Sequence, residues 1–503
     1  MMKAKLLMVQ GTASSVGKSV IVTALCRIFA AEGVRVSPFK AQNMSLNAAV
    51  TPDGAEIGRA QAAQAEAAGL VPTADMNPIL LKPEGNGRCQ VIVQGRMWRE
   101  APPLGSPDYA KVLWPFVVES LERLRSQFEL IVIEGAGSPA EVNLRETDLA
   151  NMRVAREFSA PVILVGDIDR GGVLAHLVGT LQLLLPEERA LVRGLLINRF
   201  RGDLGLLAPG LEFLEQYTGK PVLGVVPYLD HLRVAPEDSV ELERRLRPRA
   251  GASVEVAVVR LPRISNFDEF DPLEAEPDVR LRFVRSAAEL GEPDLVILPG
   301  SKATCPDLRF LRESGLADAI RRLVSQGSCL IGICGGFQML GTRVCDPERM
   351  ESELPAEEGL GFFPMVTVMV GEKVTRLVEG TVRGGRGILA HAAGVAVRGY
   401  EIHVGRTDLA PSVERPLLIR GEEPRLEGAL DASGRVFGCY VHGLFENDDF
   451  RHAVLRAVRE PRQRAGAETF TSFSREAEYD RLAEAVRASV DLARIRQIAG
   501  LAR

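Results

Sequence analysis

The chain has 503 residues, of which 46% are hydrophobic and 25% charged, with a formal net charge of −5. At roughly 100–200 residues per domain, this length predicts more than one hydrophobic core, and the ordinary composition excludes extended disorder. Both charge signs are interspersed, which excludes the basic stripe of a delocalised nucleic-acid surface, so any anionic ligand must be held locally.

Seven cysteines, at 26, 89, 305, 329, 334, 345 and 439, form no C-x-x-C pair, which fits neither a disulfide framework nor a zinc knuckle. A reducing cytosol is the expected compartment. The apolar run behind Lys3 and Lys5 covers only residues 6–9, too short for a signal-peptide core. The longest apolar stretch, 172–185, is shorter than the roughly 20 residues that cross a bilayer. Neither export nor a membrane span is expected.

In chain order, KLLMVQ (5–10), VRVSPF (34–39), FELIVIE (128–134), PVILVGD (161–167), RGLLIN (193–198) and PVLGVV (221–226) predict buried parallel strands. Helix-length segments at 17–31, 58–68 and 172–185 lie between them, so residues 1–235 predict a doubly wound α/β domain with a parallel sheet. The charged, proline-containing stretch 236–252 predicts a linker. A second α/β domain is expected over 253–503. It starts with VEVAVVR (254–260), DLVILPG (294–300), a helix over 307–326 and CLIGIC (329–334). From about 364 strands follow with few helices between them, so this sheet is predicted to be mixed. The last 55 residues have helical spacing and predict surface helices closing the second domain.

GTASSVGKS at 11–19 ends one predicted strand and opens a helix, the context a phosphate loop needs. Backbone N–H groups from Gly11 and Thr12 through Ser14, Ser15, Val16 and Gly17 would surround a polyphosphate at a helix N-terminus. Lys18 would neutralise its outer oxygens and Ser19 would ligate Mg2+. The first glycine stands one residue early, with Thr12 in its usual place. Glu134, at the end of FELIVIE, is the second expected Mg2+ ligand. Asp167, Asp169 and Arg170 share the same predicted sheet edge, and helix capping explains them equally well. Asn198 is a candidate for the adenine ring or a turn residue.

IGICGGFQMLG at 331–341 places Cys334 at a strand-to-helix elbow followed by two glycines. Such a turn exposes a nucleophile, favours its thiolate and offers the Gly335 N–H to an oxyanion. His442, ending another predicted strand, is the candidate base. The other six cysteines lack the elbow and are expected to pack.

These motifs occur with PFKAQNMSLN (38–47), EGAGSPAEVNLR (134–145), DIDRGGV (167–173), INRFRGD (197–203), SNFDEFDPL (265–273), LPGSKAT (298–304) and GYEIHVG (399–405). In number and order they resemble the cobyric acid synthase family over essentially the whole chain. The first part is similar to dethiobiotin-synthetase-like ATP-dependent synthetases, and the second to triad-type glutamine amidotransferases. The resemblance implies four ATP- and Mg2+-dependent amidations of the b, d, e and g carboxylates of adenosylcobyrinic acid a,c-diamide through acyl phosphates. Glutamine, hydrolysed at Cys334 with His442, is the implied ammonia source, and Gly300 joins Gly335 as an expected oxyanion position. Triad-type relatives commonly carry Glu two residues after the histidine. That position is Leu444 here, and Glu446 has the wrong spacing, so the group orienting His442 is unassigned. The acidic SNFDEFDPL would repel an anionic corrinoid and is expected at the domain interface. His403 is expected to pack. Cobyrinic acid a,c-diamide synthase, or a phosphate-loop switch without amidotransferase chemistry, are the alternatives, and the second leaves Cys334 and His442 unexplained. The oligomeric state is left open.

Overall fold

β1 (Lys5–Gly11) is buried at every position but its first, as a central strand covered on both faces must be. It lies in the middle of a six-stranded sheet in the computed structural model, which describes residues 3–85, 88–98, 106–235, 253–351, 353–371, 373–460 and 470–501. Its partners are β2 (Val36–Phe39), β3 (Leu130–Glu134), β4 (Val162–Asp167), β5 (Val192–Phe200) and β6 (Val222–Pro227). The spatial order is β6-β5-β4-β1-β3-β2, parallel throughout. Every predicted strand of this half is present. α1 (Lys18–Ala31) covers one face, and α3 (Pro107–Gln127) and α4 (Val173–Leu183) cover the other. α2 (Arg59–Ala67) packs against α1 and carries its polar side chains into the interior. A hairpin absent from the sequence reading, Ile79–Gly85 with Arg88–Val93, adds a small separate sheet.

The second sheet contains β7 (Val254–Val259), β8 (Val279–Val284), β9 (Leu295–Leu298), β10 (Cys329–Ile333), β11 (Ala429–Leu430) and β12 (Val436–Cys439). Its order is β8-β7-β9-β10-β12-β11, and only the β11/β12 pair is antiparallel, so the sheet is mixed as predicted. β8 was not legible because Arg280 and Arg282 interrupt its apolar run at the sheet edge. The helix expected over 307–326 is two helices, Thr304–Glu313 and Leu316–Ser325, parted at Gly315, whose φ of 72° ends a right-handed run. α5 (Gly335–Met339) follows β10 directly. An antiparallel sheet containing Val374–Val382 and Ala396–His403 flanks this half.

The C-terminal segment corrects the sequence reading. α6 (Asp448–Arg459) closes the second half, but α7 (Arg475–Arg487) and α8 (Leu492–Ala499) return to the first. Tyr479, Leu482, Val486 and Ile495 are buried in one core with Ile21, Leu25 and Phe29 of α1, and Asp491 N donates to Leu223 O of β6. Amphipathic spacing shows that a helix buries one face and does not show against what. The predicted linker at 236–252 lies outside the described residues. No described helix is long and apolar enough to cross a membrane. Among the described residues no disulfide joins any of the seven cysteines.

Candidate active site

The loop between β1 and α1 explains its early glycine. A Cβ on Gly11 would stand 2.5 Å from Val16 Cγ2 and 3.1 Å from Lys18 Cδ, because the loop folds back over the strand end. Thr12 N donates to Val165 O on β4, and Ser15 and Gly17 take positive φ of 58° and 98°. A Cβ on Gly17 would collide with Asn198 Nδ2 at 2.1 Å. Asn198, a candidate for the adenine ring, donates to Val16 O at 2.9 Å, while Arg199 Nη1 donates to Ser15 O at 2.6 Å and pairs with Asp167 at 2.9 Å. Asn198, Arg199 and Asp167 therefore brace the loop from the ends of β4 and β5. Asp169 pairs outward with Arg201 at 3.2 Å, and Arg170 is exposed.

Lys18 Nζ donates to Ala13 O and Gly137 O, each at 3.0 Å, so it spans the loop and the turn after β3. Ser19 Oγ donates to Glu134 Oε1 at 2.9 Å. Glu134 is fully buried and also holds Lys40 Nζ at 2.8 Å. Gln64 and Gln61 of α2 donate to its second oxygen at 2.5 and 3.4 Å. Burial pushes the Glu134 carboxyl up, but Lys40, Gln64 and Lys18 outweigh it and hold the group below its usual value. Sequence reasoning found Glu134, Ser19 and Lys18 but missed Lys40, Gln61 and Gln64. Lys40 sits in PFKAQNMS, a motif that carried resemblance without a role. The hydroxyl of Ser19 and the carboxylate of Glu134, side by side at a helix N-terminus, are a hard all-oxygen pair that fits a Mg2+ ion shared with phosphate oxygens.

The second site lies at the carboxyl end of β10. Cys334 has φ 52° and ψ −109°, a conformation rarely adopted by a residue with a side chain, and its N–H donates to Cys439 O at 2.8 Å. The thiol donates to Ile402 O at 3.4 Å. The 299–301 turn is pressed against the elbow. A Cβ on Gly335 would be 2.8 Å from Ser301 N, and one on Gly300 3.0 Å from His442 Cε1, so neither glycine has room for a side chain.

His442 Nδ1 donates to Glu269 Oε1 at 3.0 Å, and Gly443 N donates to Glu269 Oε2 at 3.1 Å. Its ring stacks on Tyr400 at 5.2 Å. Burial pushes the imidazole down, but Glu269 and Cys334 push harder, and the group stands at about 10. The orienting carboxylate thus comes from SNFDEFDPL, 173 residues before the histidine. Asp268 beside it accepts from Arg59 Nε of α2 at 2.9 Å and pairs with Arg475 at 3.3 Å. The segment does lie where the two halves meet, and the acidity that looked unsuited to an anionic substrate serves His442 and Arg59. His403 stacks on Tyr440 at 3.8 Å, and burial brings it down to about 4.

A small cavity of about 40 Å3 beside Cys334 is walled by both halves, with Leu46 and Lys82 from the first and Lys302, Gln338, Glu351 and Lys373 from the second. Lys302 Nζ reaches Glu84 at 3.1 Å and Glu351 at 3.9 Å. Lys373 and Lys82 both reach Glu56.

Residues 7–242 match the family described as the CobQ/CobB/MinD/ParA nucleotide binding domain, and residues 255–450 match the CobB/CobQ-like glutamine amidotransferase domain. The chain is 49% identical to the cobyric acid synthase of Dehalococcoides mccartyi over 98% of each chain. It is 51% identical to that of Sorangium cellulosum, covering all of both, and 52% identical to that of Pelotomaculum thermopropionicum, covering 99% of this chain and 97% of the relative. A phosphate loop joined in one chain to a cysteine elbow, and relatives of this identity matched from end to end, have one explanation: the chain belongs to the cobyric acid synthase family.

Proposed function

We propose that the chain converts four side-chain carboxylates, b, d, e and g, of adenosylcobyrinic acid a,c-diamide into amides, using ATP and ammonia from glutamine. The observation that carries this reading is Cys334–His442–Glu269 built against the half that holds the phosphate loop, with Asp268 and Arg59 joining the two. In this reading 1–235 is the synthetase unit, with α7 and α8 packed on it, and 253 to α6 is the glutaminase unit.

A carboxylate is a poor electrophile. Its oxygen attacks the terminal phosphorus of ATP, ADP leaves, and the acyl phosphate then offers ammonia a reactive carbonyl with phosphate as leaving group. Lys18 and the loop N–H groups hold the charge that spreads over the transferring oxygens. Ser19 and Glu134 would hold Mg2+, which neutralises phosphate charge when bound. At the second site the Cys334 thiol passes its proton to His442, the sulfur bonds to the glutamine amide carbon, the C–N bond breaks, and ammonia leaves with that proton. Water then attacks the thioester, His442 accepts its proton, the C–S bond breaks, and glutamate departs as the proton returns to the Cys334 sulfur. Glu269 holds the ring so that its other nitrogen faces the sulfur. Lys302 and Glu351, of opposite sign beside Cys334, suit the zwitterionic head of the glutamine.

Mass spectrometry of the corrinoid product tests the proposal. Four successive carboxylate-to-amide conversions that depend on ATP and on glutamine or ammonia are expected. Inertness toward the a,c-diamide together with amidation of the a and c positions of undiamidated cobyrinic acid, or ATP hydrolysis without any corrinoid product, would reject it.

A further inference from the structure

Beside the phosphate loop the first half opens into a cleft of about 1270 Å3. Small-molecule sites span roughly 300–1,000 Å3, so this cleft has room for a ligand larger than a nucleotide. Ser14 of the loop and Gly137 of the turn after β3 line one end, and Gly137 is the residue whose carbonyl receives Lys18 Nζ. A group at that end reaches the position where Lys18 would meet the terminal phosphate.

The walls away from the loop have two characters. Met44 and Leu144 line the cleft and are 50% and 49% exposed, so large apolar side chains face open space there. Trp114 continues the apolar wall, with the Arg153 guanidinium 4.2 Å from the centre of its ring. Around this wall stand Lys111, Arg145 and Arg156.

The acidic residues of the lining are largely engaged elsewhere. Asp148 accepts from the backbone N–H groups of Ala150, Asn151 and Arg153. Glu188 accepts from Leu185 N and lies 3.8 Å from Arg156, and Glu141 accepts from Ser138 N. Glu146 and Glu157 are exposed at the rim.

We infer that this cleft is the corrinoid site, an assignment that rests on the proposed reaction and names where its substrate lies. The flat apolar face of the macrocycle packs on Trp114, Leu144 and Met44, and Lys111, Arg145, Arg153 and Arg156 meet its peripheral carboxylates. One carboxylate arm at a time extends past Gly137 to the loop. Four arms must be presented to a single phosphorylation point. A broad apolar wall ringed by separate cations accepts the ring in several rotations, whereas a pocket fitted to one arm would accept only one.

Lys111 and Arg156 are exposed, so neutralising them leaves the core intact, whereas Arg156→Glu also opposes the buried Glu188 3.8 Å away. Equilibrium dialysis with the a,c-diamide acid and with its fully amidated counterpart tests the assignment in the full-length protein. In Lys111→Glu/Arg156→Glu the acid should bind at least roughly tenfold more weakly, and the amidated corrinoid should lose much less, since the cations read carboxylate charge. Lys111→Gln/Arg156→Gln should fall between while keeping the wild-type unfolding midpoint. Lys111→Glu alone, which among the described residues faces no buried carboxylate partner like the Glu188 beside Arg156, should weaken the acid in the same direction. Wild-type affinity for the acid in both double variants would overturn the cleft assignment and leave the reaction standing. A wild-type protein that binds neither corrinoid would overturn the reaction itself, and the cleft assignment with it.

Discussion

Asp268 and Glu269 are consecutive residues that hold different halves of the chain. Asp268 grips Arg59 of α2 at 2.9 Å, and Glu269 grips His442 at 3.0 Å. The same α2 sends Gln61 and Gln64 to Glu134. A single helix and one short segment therefore connect the carboxylate beside the phosphate loop with the histidine beside the cysteine.

Glu269→Gln is expected to lower glutamine-dependent turnover by about 10²-fold or more, because a positioned general acid–base contributes roughly 10²–10⁴-fold. Ammonia-dependent amidation should persist, which separates this effect from misfolding. The His442 group stands at about 10 when folded and 6.5 in the ordinary case, so its pairing stabilises the protein fully below pH 6.5. That contribution is lost as pH rises toward about 10. Denaturation across this range should show the wild type converging on Glu269→Gln as pH rises, and a constant difference would contradict the pairing.

Cys334→Ala should remove glutaminase activity while leaving ammonia-dependent amidation at a substantial fraction of the wild-type rate, measured at a pH that supplies free ammonia. Retained glutamine-dependent activity would reject Cys334 as the nucleophile.

Lys18→Ala should lower amidation by several orders of magnitude with either nitrogen source, because phosphorylation precedes the step at which the sources differ. Near-normal ammonia-dependent turnover would remove GTASSVGKS from the ATP site.

Glu134→Ala should cost about 3–5 kcal/mol in stability, because Lys40 is left buried without its carboxylate. Adding Lys40→Met should recover much of that stability and no activity. Urea denaturation of the single and double variants measures the stability and ammonia-dependent amidation the activity, and equal stability in the two would show that the pair is not what holds Lys40 in the interior.

What could be read in the sequence was what a short segment determines alone. The elbow at Cys334 follows from a strand, a cysteine and two glycines within a few residues, and the phosphate loop from GTASSVGKS. Glu269 was in view as one of three acids in SNFDEFDPL, yet its role depends on a histidine brought to it by the fold of a complete α/β half. Lys40 stood in PFKAQNMSLN without a role until β2 and β3 placed it against Glu134. Leu482 shows the same limit, since its spacing declared a buried helix face and the sheet that buries it lies at the other end of the chain.

The return of α7 and α8 to the first sheet has a consequence for how the protein is made. A ribosome delivers the phosphate loop first and the helices that cover α1 last, after the second half has been synthesised between them. The early product carries Ile21, Leu25 and Phe29 without their covering layer, which is the kind of transient apolar surface that engages chaperones. Separate genes for the two sheets, cut within 236–252, would strand those helices on the wrong product, so a split enzyme needs its second cut between α6 and α7 and the last segment returned to the first polypeptide.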